Sequence, residues 1–137
     1  MVDYSLIPEP VRDLVRERVH AIEQIEILLR LREQAPASLR IDALASALRV
    51  PEGLVEPALA HLVTHELVAA APEPRAFRYA PASAELDAAV SALAACYVDS
   101  RVELLRLISS NAVERLRSGS LKIFAEAFRL RRKKKDG

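Results

Sequence analysis

The sequence predicts a mainly α fold that carries one small β-hairpin and closes with a long C-terminal helix and a short basic tail helix. Three observations predict it. Apolar residues recur at steps of three and four through much of the chain, the period of a helix with one buried face. Hydrophobic residues make up 51% of the 137 residues, while aromatics reach 4% and glycines number 3. Ala and Leu, both good helix formers, therefore carry the apolar content. Finally, two short segments flanking Pro72-Glu73-Pro74-Arg75 read as the strands of a hairpin. This length suits one domain with a real core, not two ordinary ones.

The first helix is expected to start near Pro8 to Pro10, because proline fits a first helical turn. Its stripe is Val11, Val15, Val19, Ile22, Ile25 and Leu29, widened by Ile27, Leu28 and Leu31 toward a more deeply buried C-terminal end. Ala35-Pro36-Ala37-Ser38 breaks the pattern as a loop. Leu39-Arg40-Ile41 reads as a very short strand, and Asp42 as the N-cap of a second helix whose buried side is Leu44, Ala45 and Leu48. Val50-Pro51-Glu52-Gly53 makes a turn. A third helix follows to about Glu66, with Val55, Leu59, Leu62 and Val63 facing inward. The hairpin strands are Leu67 to Ala71 and Ala76 to Ala80, with Phe77 and Tyr79 on one face.

From Ser83 a long helix is expected to reach about Ser110, roughly 42 Å at 1.5 Å per residue. Leu86, Val90, Leu93, Tyr97, Leu104 and Ile108 line one side at near-heptad spacing, interrupted by Ser100 and Arg101. Ala88, Ala89, Ala92, Ala94 and Ala95 leave room for a second helix to approach. Ser118-Gly119-Ser120 is read as a break before a final short helix bearing Leu121, Phe124, Ala125 and Phe128. The division is thus residues 8–82 as the folded core, 83–117 as a dimerisation helix and 118–137 as a basic amphipathic tail.

The segment Arg40 to Val68 resembles the helix-turn-helix core of MarR-type winged-helix transcriptional regulators. The matching stretches are Ile41-Asp42-Ala43-Leu44-Ala45, Leu48-Arg49-Val50-Pro51, Leu59-Ala60-His61-Leu62 and Leu67-Val68. The resemblance implies a winged helix-turn-helix domain, a dimer formed by its flanking helices, and a recognition helix in the major groove with a wing on the DNA backbone. The outward residues of the third helix fit that role poorly. Glu52, Gly53, Glu56, Pro57, Ala60, His61 and Thr64 include none of the Arg, Lys, Asn or Gln that best read base edges. Pro57 would also clash with the Gly53 carbonyl, so a kinked or late-starting helix is expected.

DNA contact therefore falls to Arg40, Arg49, Arg75 and Arg78, with His61 and Thr64 on the third helix. Phosphate contacts of this kind give affinity without sequence information. Charge along the chain points the same way. Residues 1–117 hold 13 Lys/Arg against 17 Asp/Glu, whereas residues 118–137 hold 7 against 2. Arg131, Arg132, Lys133, Lys134 and Lys135 make a candidate DNA arm or a solubilising tail. Phe124 and Phe128, one turn apart, pack back onto the domain, dock on a partner or lie weakly on an anionic membrane surface.

The leading expectation is a dimeric, cytoplasmic DNA-binding regulator working through double-stranded DNA and a second copy of itself. The alternative is a winged-helix module that has lost DNA reading and binds a protein partner through its C-terminal helices. A neutral or acidic surface around the third helix and wing favours the second. A single cysteine, Cys96, suits a reducing compartment and reads as a small buried thiol. The N-terminus lacks a signal-peptide pattern, and no apolar run spans a membrane. His61 and His65 have a spacing that two metal ligands can share, but no third ligand completes it, so they read as surface histidines. No nucleophile-base set or phosphate loop is present; enzyme activity, cofactor and metal are not expected.

Overall fold

The structure, a computed structural model, describes the backbone of residues 4–135 and the side chains of residues 4–129. Its elements are α1 (Glu9–Glu17), α2 (Ile22–Gln34), β1 (Leu39–Arg40), α3 (Ile41–Leu48), α4 (Glu52–Thr64), β2 (Val68–Ala70), β3 (Ala76–Tyr79), α5 (Ala84–Asp99) and α6 (Arg101–Lys135). The strands form one antiparallel sheet in the order β1-β3-β2, with Leu39 opposite Phe77 and Val68 opposite Tyr79. The fold is thus mainly helical with a small three-stranded sheet.

One core holds the layers together. Val11, Leu14 and Val15 of α1, Ile25, Leu28 and Leu31 of α2, Leu44 of α3, and Leu59 and Leu62 of α4 are buried in it. Val90 and Leu93 of α5 with Leu104 and Ile108 of α6 close it on the other side. Each fully buried Leu or Ile stabilises the fold by about 1.5–3 kcal/mol. Polar ties then orient α2 against α5: the Tyr97 hydroxyl donates to Glu26 at 3.1 Å and the Arg32 guanidinium to the Ser91 hydroxyl at 2.9 Å.

Several expected boundaries move, each for a local reason. The first helix is two helices, separated at Arg18 to Ala21. There the Gln24 carboxamide oxygen accepts the N–H groups of His20 (2.7 Å) and Ala21 (3.3 Å), starting α2 afresh. This is half a capping box, with no Ser or Thr at the cap to advertise it. Asp42 lies inside the first turn of α3, and Arg40 takes the cap position. Val63 is exposed rather than inward.

Pro57 neither delays nor interrupts α4, which starts at Glu52 and contains it. Only the hydrogen bond to Gly53 is forfeited, and both residues are exposed, so water can reach that carbonyl. The long C-terminal helix breaks at Ser100, where Arg101 hydrogen-bonds back to the Tyr97 carbonyl at 3.1 Å and lies 4.2 Å from its ring centroid. Conversely, Ser118-Gly119-Ser120 does not break α6, which continues for 35 residues.

Candidate functional site

Two helix-ending turns set the geometry around α4. Each is a Schellman closure with a non-glycine residue in the left-handed position. At the end of α3, Arg49 has φ 57° and ψ 46°, and the N–H groups of Arg49 and Val50 return to Ser46 and Ala45. At the end of α4, Glu66 has φ 64°, and Glu66 and Leu67 return to Val63 and Leu62. The first turn sets α4 beside the hairpin tip.

There Arg75, itself at φ 57°, folds back onto α4. Its guanidinium lies 3.0 Å from the Glu56 carboxylate and 3.5 Å from that of Glu52. Arg40 is likewise engaged, at 3.2 Å from Asp42 and 3.3 Å from the Pro74 carbonyl. Its hydrogen bond holds the Asp42 carboxyl below the ordinary range. The Thr64 hydroxyl donates to the Ala60 carbonyl of its own helix at 3.0 Å. Arg49 and Arg78 are exposed. Exposed charges around α4 and the hairpin therefore balance, with Asp42, Glu52, Glu56 and Glu73 against Arg40, Arg49, Arg75 and Arg78. The face is neutral, and two of its four arginines already serve carboxylates.

His61 does not point outward as expected of a DNA contact. Its Nε2 lies 2.8 Å from the Arg18 carbonyl at the α1–α2 break. It joins His20 and His65 in a cluster with ring centroids 4.1–5.7 Å apart, so His61 and His65 are not independent surface histidines. Among the described residues no group of His, Cys, Asp or Glu is arranged to hold a metal ion. Cys96 is buried, and its thiol is pushed up by desolvation and then by Glu103 and Asp99.

The largest departure concerns the expected dimer surface. Val90, Leu93, Leu104 and Ile108 are buried in their own core, and Leu86 and Tyr97 pack against it. They offer little to a second chain. In the expected segment Val98 and Val102 are exposed, and a larger apolar surface lies farther along α6. Its inward stripe of Leu104, Leu107 and Ile108 ends at half-buried Asn111, Ala112 and Arg115. Beyond that, Val113, Leu116, Leu121, Ile123, Phe124 and Phe128 are 55–72% exposed. The two phenylalanines stack on each other with centroids 6.4 Å apart instead of packing back onto the domain. The tail cations Arg131, Arg132, Lys133, Lys134 and Lys135 have side chains outside the described residues, although their backbone continues α6.

An open cleft of about 610 Å³ between α1 and α5 is lined by Glu9, Asp13, Glu17, Arg18, Glu66 and Glu85 among others. No helix of the described residues is long and apolar enough to cross a membrane. Comparison with known families finds no family model that matches the chain, and no curated protein matches it significantly.

Sequence reasoning missed His20 and Arg115, whose contacts with His61 and His65, and with His20, cross long sequence separations. It also missed Leu116 and Ile123. Their spacing from Val113 at helical steps was available, but the supposed break at Gly119 concealed it.

Proposed function

We propose that this chain is a winged-helix interaction module that assembles with a second copy of itself through the outer half of α6. The element order and the β1-β3-β2 sheet support the winged-helix reading. The observation that carries the functional reading is the uncovered apolar face from Val113 to Phe128. Its six large side chains expose on the order of 700 Å² of mostly apolar area, close to what one partner contributes to a standard interface. Monomeric proteins seldom leave so large an apolar patch in water. A helix projecting for roughly 35 Å and containing Ser118-Gly119-Ser120 also has weak intrinsic stability and needs packing to persist.

Charge favours a like partner arranged antiparallel. Residues 118–137 carry an excess of five positive charges and residues 1–117 an excess of four negative ones. Antiparallel pairing separates the two basic ends and lays each near the other copy's acidic body. Sedimentation across a concentration series tests this, with a reversible dimer in the micromolar range as the expected result. A strictly monomeric chain at all concentrations overturns it.

Binding to double-stranded DNA is the second reading, favoured by exposed Arg49 and Arg78 together with the basic C-terminal sequence. It is sequence-independent, because the neutral α4 face lacks residues suited to base edges. Mobility shifts over a salt series distinguish it by a steep salt slope on any duplex.

A further inference from the structure

We propose that His20, His61 and His65 form a proton-operated latch that holds Arg115 of α6 against the α1–α2 turn at neutral pH and loosens it on acidification. The sequence contains three histidines, and the fold brings all three into mutual contact from the α1–α2 turn and the end of α4. Each already spends one ring nitrogen on a backbone carbonyl: His20 Nε2 on Arg16 (3.1 Å), His61 Nε2 on Arg18 (2.8 Å) and His65 Nδ1 on His61 (2.8 Å). Those carbonyls take the N–H of the neutral ring. Protonation adds charge at the other nitrogen of each ring.

The stacked rings of His61 and His65, 28° apart in orientation, direct their in-plane lone pairs side by side rather than to one point. A proton therefore suits the cluster better than a shared metal ion. The charges that act on the His20 and His61 rings are positive, Arg115 among them. From α6, the Arg115 guanidinium reaches the His20 carbonyl at 3.5 Å. From the α1–α2 break, Arg18 donates to the His65 carbonyl at 2.7 Å. From α1, Arg16 is tied to Asp13 and Glu17. Glu66, after α4, is a further carboxylate in this network, and it lies 3.9 Å from Arg18. A second imidazolium would thus meet cations more closely than anions.

Burial, then Arg115 and His61, push the His20 ring below the ordinary imidazole range, and burial leads for His61 as well. A folded-state histidine pKa below its unfolded value means the unfolded chain binds protons more readily. The stability contributed by His20 and His61 is therefore full above pH 6.5 and lost as pH falls below it. Strain of this origin would be felt at Arg115, the last half-buried residue of α6 before its exposed half. Beside it, the buried Asn111 Nδ2 has no hydrogen-bond partner, so this contact has little polar reinforcement.

The test uses the full chain and reads amide exchange of residues 111–117, corrected for intrinsic pH dependence. Between about pH 7.5 and 5.5, exchange is expected to rise severalfold, because the unfolded chain takes up protons at His20 and His61 more readily than the folded one. The combined variant His20→Gln, His61→Gln and His65→Asn keeps the three N–H donors without the titration, and its exchange should stay flat. An equal rise in that variant, or no rise in the native chain, overturns the latch. Arg115→Gln serves if the triple variant does not fold. NMR midpoints of His20 and His61 should then move up toward 6.5, and unchanged midpoints overturn the proposal.

Discussion

Replacing Phe124 by Ser separates the stability of the domain from its assembly. The ring is 70% exposed within the single chain. Its loss should change the domain's unfolding free energy by no more than about 0.5 kcal/mol, as at other surface sites. In an assembled pair the same ring would bury about 140 Å² of apolar surface, an upper limit of about 3.5 kcal/mol per copy. Immobilising the helices consumes part of that, leaving about 2 kcal/mol per copy and about 4 kcal/mol per dimer. The dimer Kd should then weaken by roughly a thousandfold. Sedimentation equilibrium measures this, with urea denaturation of the dilute monomer as the control. A Kd within about threefold of the native chain would refute the placement of Phe124 in the interface. A large loss of monomer stability would show that the ring packs on its own domain.

Three further outcomes follow from the geometry. Gly119→Ala should stabilise the outer half of α6 by about 1 kcal/mol, since the added methyl meets nothing within 4 Å; the helical signal near 222 nm should rise and persist to higher temperature. Arg49→Gly should raise the urea midpoint, because relief of the left-handed strain at φ 57° (about 1–2 kcal/mol) exceeds the entropy cost of glycine (about 0.5–1 kcal/mol); an unchanged or lower midpoint would show that the Arg49 side chain makes a compensating contact. Tyr79 and Tyr97 should ionise above the ordinary phenol pKa of 10.0, burial being the first cause for each, with Asp87 adding to Tyr79 and Glu26 to Tyr97. Their raised folded values favour the neutral form, so this stability is complete below pH 10 and lost as pH climbs above it. Absorbance near 295 nm should show delayed ionisation that vanishes on unfolding.

Local pattern determined much of this architecture. The repeats of Val11 and Val15, of Leu44, and of Leu59 and Leu62 each place a buried side on a helix, because a 3.6-residue period tolerates few alternatives. Pro72 and Pro74 likewise mark the hairpin tip in the chain itself. The apolar step from Val113 to Leu116 and Ile123 was also legible, but the sequence lacked a statement of which apolar stripe would be used internally. Only the tertiary structure decides that, since α5 and α6 spend Val90, Leu93, Leu104 and Ile108 on their own core and leave Phe124 and Phe128 in water. The same holds for the charged face. Arg75 looks free in the sequence, yet Glu52 and Glu56 lie on the adjacent helix and claim it. His20 is separated from His61 by 41 residues, and no spacing rule links them. They meet because the chain turns between α1 and α2, where Gln24 holds the His20 backbone N–H and the His20 ring lies against His61. Helix periods are local physics and survive in the sequence. Which face meets which, and which charge finds a partner, are set by packing over the whole chain.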